Sequence, residues 1–315
     1  MISLVGCTGF VGQNLANSCI FDGLYNSKNI ASAYGTNPEL LVYAGVRAEM
    51  FLANHNPQQD KALIDQAIEN IKKIRPKELA LISTISVYGE QVYADETTEI
   101  EEDCLTAYGR NRLYLEQWVE QELEHALIVR LPALYGRGIK KNFIYDFIHR
   151  IPALLNEDYY KLLCKDSERF ADYYEKQENG YYKCRKLSTD EKRCLMSYFR
   201  SSGFSALNFT DSRARYQFYN LAYLWQHIQI ARENALKKVN LVTEPVGIAE
   251  LFWYLEQKEF KNEILQKPFD YQLRTRYAEL FGGNKGYIFD RKFVLEDIRK
   301  FILNANSVEG ISAWN

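Results

Sequence analysis

Along the first half of the chain, short unbroken apolar runs alternate with segments of helical period. Residues 2–6 (ISLVG) form the first run, and a helical pattern follows over 10–21, with Gly23 placed to stop it. Residues 24–26 read as a very short strand and 40–44 (LLVYA) as a buried one. The segment DKALIDQAIENIKKI at 60–74 spaces its apolar residues three and four apart, which predicts an amphipathic helix ended by Pro76. Runs at 79–83 (LALIS) and 126–131 (ALIVRL) predict two more strands, with a long helix over 106–123 between them. Strands that are apolar throughout and alternate with helices predict an α/β fold, a doubly wound parallel sheet covered on both faces.

The pattern weakens after Gly138. Residues 142–205 are helical in period, charged and rich in tyrosine, and they predict a smaller, mostly helical lobe. Strand character returns at 239–242, and helical patterns follow at 247–259 and 293–304. The expected division is residues 1–138 as a dinucleotide-binding domain, with 207–243 returning to it. Residues 139–206 and 244–315 then form the substrate lobe.

With 39 basic against 41 acidic residues the chain is nearly balanced, so neither nucleic acid nor an anionic membrane is an expected partner. No apolar stretch is long enough for a membrane span, because the best candidate, 206–235, is broken by Asp211, Arg213, Arg215, Asn220 and His227. The start, MISLVGCTGF, lacks the features of a secretory leader, and a cytoplasmic location is expected. Six cysteines without a CxxC pair, and no clustered histidines, point to reduced thiols and no metal site.

Gly6-Cys7-Thr8-Gly9-Phe10-Val11-Gly12 lies directly between the first strand and the first helix. In that position one glycine makes the tight turn, one admits a pyrophosphate to the backbone, and one lets helix and strand pack closely. The helix start offers N–H groups and a partial positive charge to the phosphates. Gly6, Thr8, Gly9, Phe10, Val11 and Gly12 are therefore candidate cofactor contacts, against the alternative of a glycine turn that only packs. Few residues separate Gly12 from the strand starting at Leu40, so the adenosine side of the fold is expected to be trimmed. Asn26-Ser27-Lys28 ends the short second strand where an NAD site would place a carboxylate. A hydroxyl and an ammonium suit a 2′-phosphate, so NADP is preferred over NAD, with Lys28 as an ordinary loop lysine the alternative.

Three further segments carry a family resemblance. Ser83-Thr84-Ile85-Ser86-Val87-Tyr88-Gly89, Tyr108-Gly109-Arg110-Asn111-Arg112 and Arg130-Leu131-Pro132-Ala133-Leu134-Tyr135-Gly136 follow the glycine turn in order. Together these motifs resemble the extended short-chain dehydrogenases/reductases, the NAD-dependent epimerase/dehydratase family, with YxxxR standing where that family has YxxxK. The resemblance covers residues 1–145, resumes loosely at 215–225 and 240–251, and leaves 150–205 unmatched. It implies a Rossmann-type domain, further cofactor contacts at Ala44, Gly45, Ser83 and Pro132, and a nucleoside-diphosphate sugar as substrate. It also implies Thr84, Tyr108 and Arg112 as the catalytic set, although Ser83 and Ser86 compete with Thr84 because one register step exchanges which hydroxyl faces the cofactor. Ser86, Lys140, Lys141, Asn142 and Arg215 are the implied substrate contacts, with Arg137 and Arg213 as further candidates; a solvent-exposed basic loop explains Arg137 equally well, and structural ion pairing explains Arg213 and Arg215 equally well. A second copy of the chain is the expected assembly partner.

Tyr108 and Arg112 lie four residues apart, on one face of a helix. A tyrosine becomes a useful acid/base when a nearby cation stabilises its phenolate, and arginine supplies that charge with a wider, planar donor set. The family's 4,6-dehydratases carry Asp-Glu after the threonine. Ile85 and Ser86 stand there instead, so dehydration is disfavoured. The expected function is an NAD(P)-dependent epimerase or keto-reductase of a nucleotide sugar. The alternative is a binding protein of the same fold with weak or no catalysis.

Overall fold

In a computed structural model that describes residues 1–308, the apolar runs form the central sheet. Its strands are β1 (Ile2–Val5), β2 (Gly23–Tyr25), β3 (Leu40–Tyr43), β4 (Glu78–Thr84), β5 (Ala126–Leu131) and β12 (Lys238–Asn240). They lie side by side in the order β12-β5-β4-β3-β1-β2, and every neighbouring pair is parallel. Alternate side chains serve opposite layers, as the pleat requires. Leu40, Val42, Leu127 and Val129 join Leu15 and Ile228 on one face, supplied by α1 (Phe10–Ser18) and α8 (Leu224–Glu233). Leu41, Tyr43, Leu79 and Ile128 join Ile64, Ile71 and Leu115 on the other, supplied by α3 (Pro57–Ile74) and α4 (Ala107–Glu122). A short helix, α2 (Met50–His55), precedes α3, and Asn56 caps α3 by accepting from the Gln59 N–H.

The sheet is trimmed where expected. A doubly wound sheet of this kind ordinarily continues past the second strand through a helix to a third. Here one 3₁₀ turn, Ile30–Ala33, leads from β2 straight to β3, and β2 is left as the edge.

The chain divides into two units. Unit 1 comprises Met1–Ile139, Arg215–Gly247 and Phe269–Asp297; unit 2 comprises Lys140–Ala214, Ile248–Pro268 and, among the described residues, 298–308. Two boundaries differ from the sequence-based division. Residues 207–214 group with unit 2, and 244–247 with 269–297 group with unit 1. The second difference has a hydrogen-bonding cause: β13 (Val246–Gly247) pairs with β10 (Arg215–Tyr216), the Leu273 N–H donates to the Gln217 side chain, and the Ile288 N–H donates to the Val242 carbonyl. Unit 1 also contains a parallel pair of β6 (Ala133–Tyr135) with β11 (Phe218–Asn220).

Unit 2 is not only helical. Beside α5 (Phe143–His149), α6 (Glu157–Asp166), α7 (Thr189–Ser201) and α9 (Ile248–Glu256), it holds an antiparallel sheet of β7 (Leu154–Leu155), β9 (Tyr182–Cys184) and β8 (Tyr174–Lys176). Leu155, Leu163, Phe170, Tyr174, Met196 and Phe199 form its core. The last helix, α10, spans Arg291–Val308. Among the described residues no helix is long and apolar enough to cross a membrane, and no group of three or more His, Cys, Asp or Glu is placed to hold a metal ion.

Candidate active site

The glycine turn is held by main-chain bonds. The N–H groups of Gly6 and Cys7 both donate to the Tyr25 carbonyl, at 2.8 and 3.1 Å, which joins the end of β1 to the end of β2. Gly6 has φ +90°, and a Cβ there would lie 2.3 Å from the Ala44 carbonyl oxygen. A Cβ on Gly12 would lie 2.0 Å from the Gly6 carbonyl oxygen, so helix α1 can sit on the turn only because Gly12 lacks one. Gly9 is the helix N-cap, has no side chain to occupy the first-turn N–H groups, and is exposed with Thr8. Phe10 and Val11 are half-buried in the first turn. An uncapped, glycine-lined helix start at the C-terminal edge of a parallel sheet fits a pyrophosphate, and the residues present fit a dinucleotide.

Around that turn, Ala44 and Gly45 follow β3, and a Cβ on Gly45 would press on Val5 Cγ1 at 3.0 Å. Asn14 of α1 accepts from the Arg137 N–H at 3.1 Å and donates to the Arg137 carbonyl at 3.0 Å, fastening α1 to the turn after β6. The Arg137 side chain is exposed, and Pro132 is half-buried between β5 and β6. In the loop after β2, the Asn26 carboxamide oxygen accepts from the Lys28 N–H at 2.9 Å, so Asn26 shapes the loop while Ser27 and Lys28 are exposed.

At the end of β4 the register separates the competing hydroxyls. Ser83 donates to Glu116 at 2.5 Å. Glu116 is fully buried and bridged by Arg130, whose Nη1 donates to the Tyr88 hydroxyl at 2.6 Å. Ser83 is thereby committed to a buried polar network, which is stable only with its members paired. Thr84 points the other way. Its hydroxyl accepts from the Ser86 N–H at 3.2 Å and is close enough to the Tyr108 hydroxyl to favour the phenolate. Ser86 is half-buried, and its hydroxyl lies 3.1 Å from that of Thr84.

Gly109 brings Tyr108 to this strand end. A Cβ on Gly109 would lie 2.5 Å from the Ser86 carbonyl oxygen, so the first turn of α4 lies against the 3₁₀ turn Ile85–Tyr88 with no room for a side chain. Thr106 caps the helix, and the Tyr108 N–H donates to Asn54 at 2.9 Å. One turn on, the Arg112 guanidinium lies over the Tyr108 ring, 4.1 Å from its centroid. Both residues are buried, at 5% and 4% exposure.

Arg112 is not an isolated cation. Its Nη1 donates to the carboxylate of Asp60, a buried residue in the first turn of α3, and its Nη2 donates to the Arg47 carbonyl at 2.5 Å. Asp60 also accepts from the Asn111 amide at 2.8 Å. Burial pushes the Tyr108 hydroxyl above its ordinary value of 10, and Asp60 adds to that, whereas Arg112 and the Thr84 hydroxyl act against it. The structure therefore brings Thr84, Tyr108 and Arg112 together, gives Asn111 of the same motif a role, and adds Asp60, Asn54 and the Arg47 carbonyl, which lie outside the motifs. Gly109, a glycine inside a helix, marks the close approach of α4 to Ser86 and carries no signal for Asp60, Asn54 or Arg47.

The implied substrate contacts fare differently. Asn142 does not present its amide oxygen to a ligand: it caps α5, accepting from the N–H groups of Ile144 and Tyr145 at 3.0 and 3.2 Å. Lys140 and Lys141 are exposed. Arg213 is structural, paired with Asp211 at 2.8 Å and donating to the Leu265 carbonyl. Arg215, in β10, has its Nε 3.8 Å from Asp270 and keeps about a third of its side chain exposed.

No protein-family model and no curated protein sequence matches the chain. Solved structures do. A UDP-glucose 4-epimerase from Thermotoga maritima, determined with UDP-glucose, is similar at TM-score 0.63 and 13% identity over 98% of this chain and 99% of that one. A dTDP-4-dehydrorhamnose reductase from Bacillus anthracis in complex with NADP is similar at TM-score 0.61 and 14% identity, over 96% and 97%. A UDP-N-acetylglucosamine 4-epimerase from Methanobrevibacter ruminantium gives 0.59 and 11%, over 97% and 98%. The fold is that of the extended short-chain epimerases and reductases.

Proposed function

We propose that this chain is a nicotinamide-dinucleotide-dependent reductase acting on a carbonyl of a nucleoside-diphosphate sugar, with Tyr108 as its proton donor. The observation that carries the reading is Tyr108, buried beside Thr84 at the end of β4 with the Arg112 guanidinium over its ring. The glycine turn after β1, in the same unit, holds the dinucleotide through the backbone from Gly6 to Gly12, and Ser27 and Lys28 favour NADP over NAD. Arg215 is the unit 1 cation proposed for the substrate's diphosphate.

The reduced dinucleotide, when bound, supplies a hydride. As the carbonyl carbon takes that hydride, Tyr108 gives its proton to the carbonyl oxygen, with Thr84 holding the oxygen in line. The C=O double bond becomes a C–O single bond as C–H and O–H bonds form, and the phenolate left behind recovers a proton from water. An epimerase needs the tyrosine first as a base. Burial holds the proton on Tyr108, which is the starting state that a reduction needs.

The test is oxidation of NADPH, followed by absorbance, with a nucleoside-diphosphate 4-keto sugar. Tyr108→Phe is expected to lose roughly 100-fold or more in kcat, the scale of a positioned acid/base group. A second reading, binding without turnover, is favoured by one observation: both Arg112 donors described above are engaged by Asp60 and Arg47. Calorimetric binding of NADP together with no turnover by the wild-type protein would put that reading first.

A further inference from the structure

The Arg112–Asp60 pair is more than a structural ion pair, because of what it touches. Arg112 lies over the ring of Tyr108 with its guanidinium carbon 4.1 Å from the centroid. An unpaired cation at that distance would pull the phenol strongly towards phenolate. This one is met by the Asp60 carboxylate and by the Arg47 carbonyl, and Asn111 takes part of the same carboxylate at 2.8 Å. Both ions are shielded from water, with side-chain exposures of 5% and 8%, so their fields reach Tyr108 with little screening.

The pair is built from two helices. Asp60 comes from the first turn of α3, and Asn111 and Arg112 from the first half of α4. The charged and polar groups that act on the Tyr108 hydroxyl are then Arg112 on its own helix, Thr84 from β4 and Asp60 from α3. Of these, Asp60 is the one with the sign to keep the proton on.

We propose that Asp60 is the positioning residue of this site: it clamps the Arg112 guanidinium against the Tyr108 ring and offsets its charge, so that Tyr108 serves as a proton donor and the site runs towards reduction. Asp60 acts through Arg112 and the field at Tyr108. The inference rests on the reductase reading for its direction of reaction, while the field itself is measurable without turnover.

The experiment is a pH titration of the full-length protein carrying ¹³Cζ-labelled tyrosine, followed by NMR, with Tyr108→Phe identifying the resonance. Asp60→Asn keeps the shape and removes the charge. The Tyr108 titration is expected to move down by about one to two pH units, the usual effect of a nearby unopposed cation. An unmoved titration in a folded Asp60→Asn protein overturns the proposal. Should Asp60→Asn fail to fold, the comparison passes to Arg112→Lys with and without Asp60→Asn, which retains a buried cation in a shorter side chain. The double variant is expected to titrate about one pH unit below the single one, and equal titrations overturn the proposal. In NADPH oxidation, Asp60→Asn is expected to bring the alkaline limb of kcat down by a similar interval, with KM much less affected. If the titration moves as expected and the wild-type protein shows no turnover, the reductase reading fails and with it the directional part of the proposal. The electrostatic part then stands by itself.

Discussion

Gly9 and Gly12 are three residues apart in one motif, yet they answer to different forces. A side chain at Gly12 collides with the carbonyl of Gly6, a backbone atom that cannot step aside. At Gly9 an added Cβ meets only that same oxygen at 3.3 Å, and the residue has an ordinary φ of −77°. Gly12→Ala is therefore expected to destabilise the protein by about 1–3 kcal/mol, the range for overpacking a tight contact. Gly9→Val is expected to lose less stability than Gly12→Ala, because its Cβ presses on the Gly6 carbonyl oxygen at 3.3 Å rather than colliding with it, and to abolish dinucleotide binding, because its branched side chain fills the approach to the helix start. Urea unfolding and calorimetric titration with NADP separate the two effects. A Gly9→Val protein that still binds would remove the turn from the site. Tyr108 and Arg112 show the same limit on reading single residues. Their spacing placed them on one helix face, but it could not show that Arg112 had a buried partner. Asp60 lies 52 residues earlier and reads in sequence as an ordinary acidic residue in a helix's first turn.

At the scale of elements, the central sheet was legible because its strands are buried on both faces. Val42 and Tyr43 are neighbours in sequence and serve different layers, so both must be apolar, and the run is continuous. The small sheet of unit 2 gave no such signal. Its strands are two or three residues long, and Tyr174-Glu175-Lys176 and Tyr182-Lys183-Cys184 place charge beside ring in lengths too short for a period to register. Packing of the helix against the strand supports that sheet, as where Tyr160 of α6 stacks on Tyr182 of β9 at 3.7 Å between ring centroids. The trimmed edge was legible as a shortage of residues, and it has a consequence for cofactor choice. With a 3₁₀ turn where a helix would stand, the loop after β2 is proposed to lie beside the cofactor's adenosine ribose, and Ser27 and Lys28 are among its exposed side chains. Lys28→Glu is expected to weaken NADP binding by about 1–3 kcal/mol, the scale of one charge-assisted contact, and to change NAD binding much less. Equal losses for both cofactors, measured by calorimetry, would show that Lys28 does not read the 2′-phosphate.

Across the whole molecule, the chain leaves unit 1 and returns to it twice, and the returning segments finish its core. Tyr219, Tyr223 and His227 come from the first return, and Phe281 and Phe289 from the second. His227 is 4% exposed, with Nδ1 2.8 Å from the Tyr219 hydroxyl and the rings of Phe281 and Phe289 at 5.1 and 5.6 Å. Burial among these rings pushes its pKa from the ordinary 6.5 down to about 4. In the interval between those two values the unfolded chain binds a proton that the folded one refuses, so stability rises with pH there and is lost as pH falls towards 4. At about 1.4 kcal/mol per pH unit, this single ring accounts for roughly 3 kcal/mol. Carboxylates also titrate in the acid range, so the wild-type curve alone does not isolate it. His227→Gln keeps a hydrogen-bonding partner for Tyr219 and cannot take up a proton. The stability difference between wild type and His227→Gln, from urea midpoints, is expected to move against the wild type by roughly 2–3 kcal/mol between pH 7 and pH 4. A difference that stays constant over that range would mean that His227 carries its proton in the folded state, and that the segments closing over it leave it open to water.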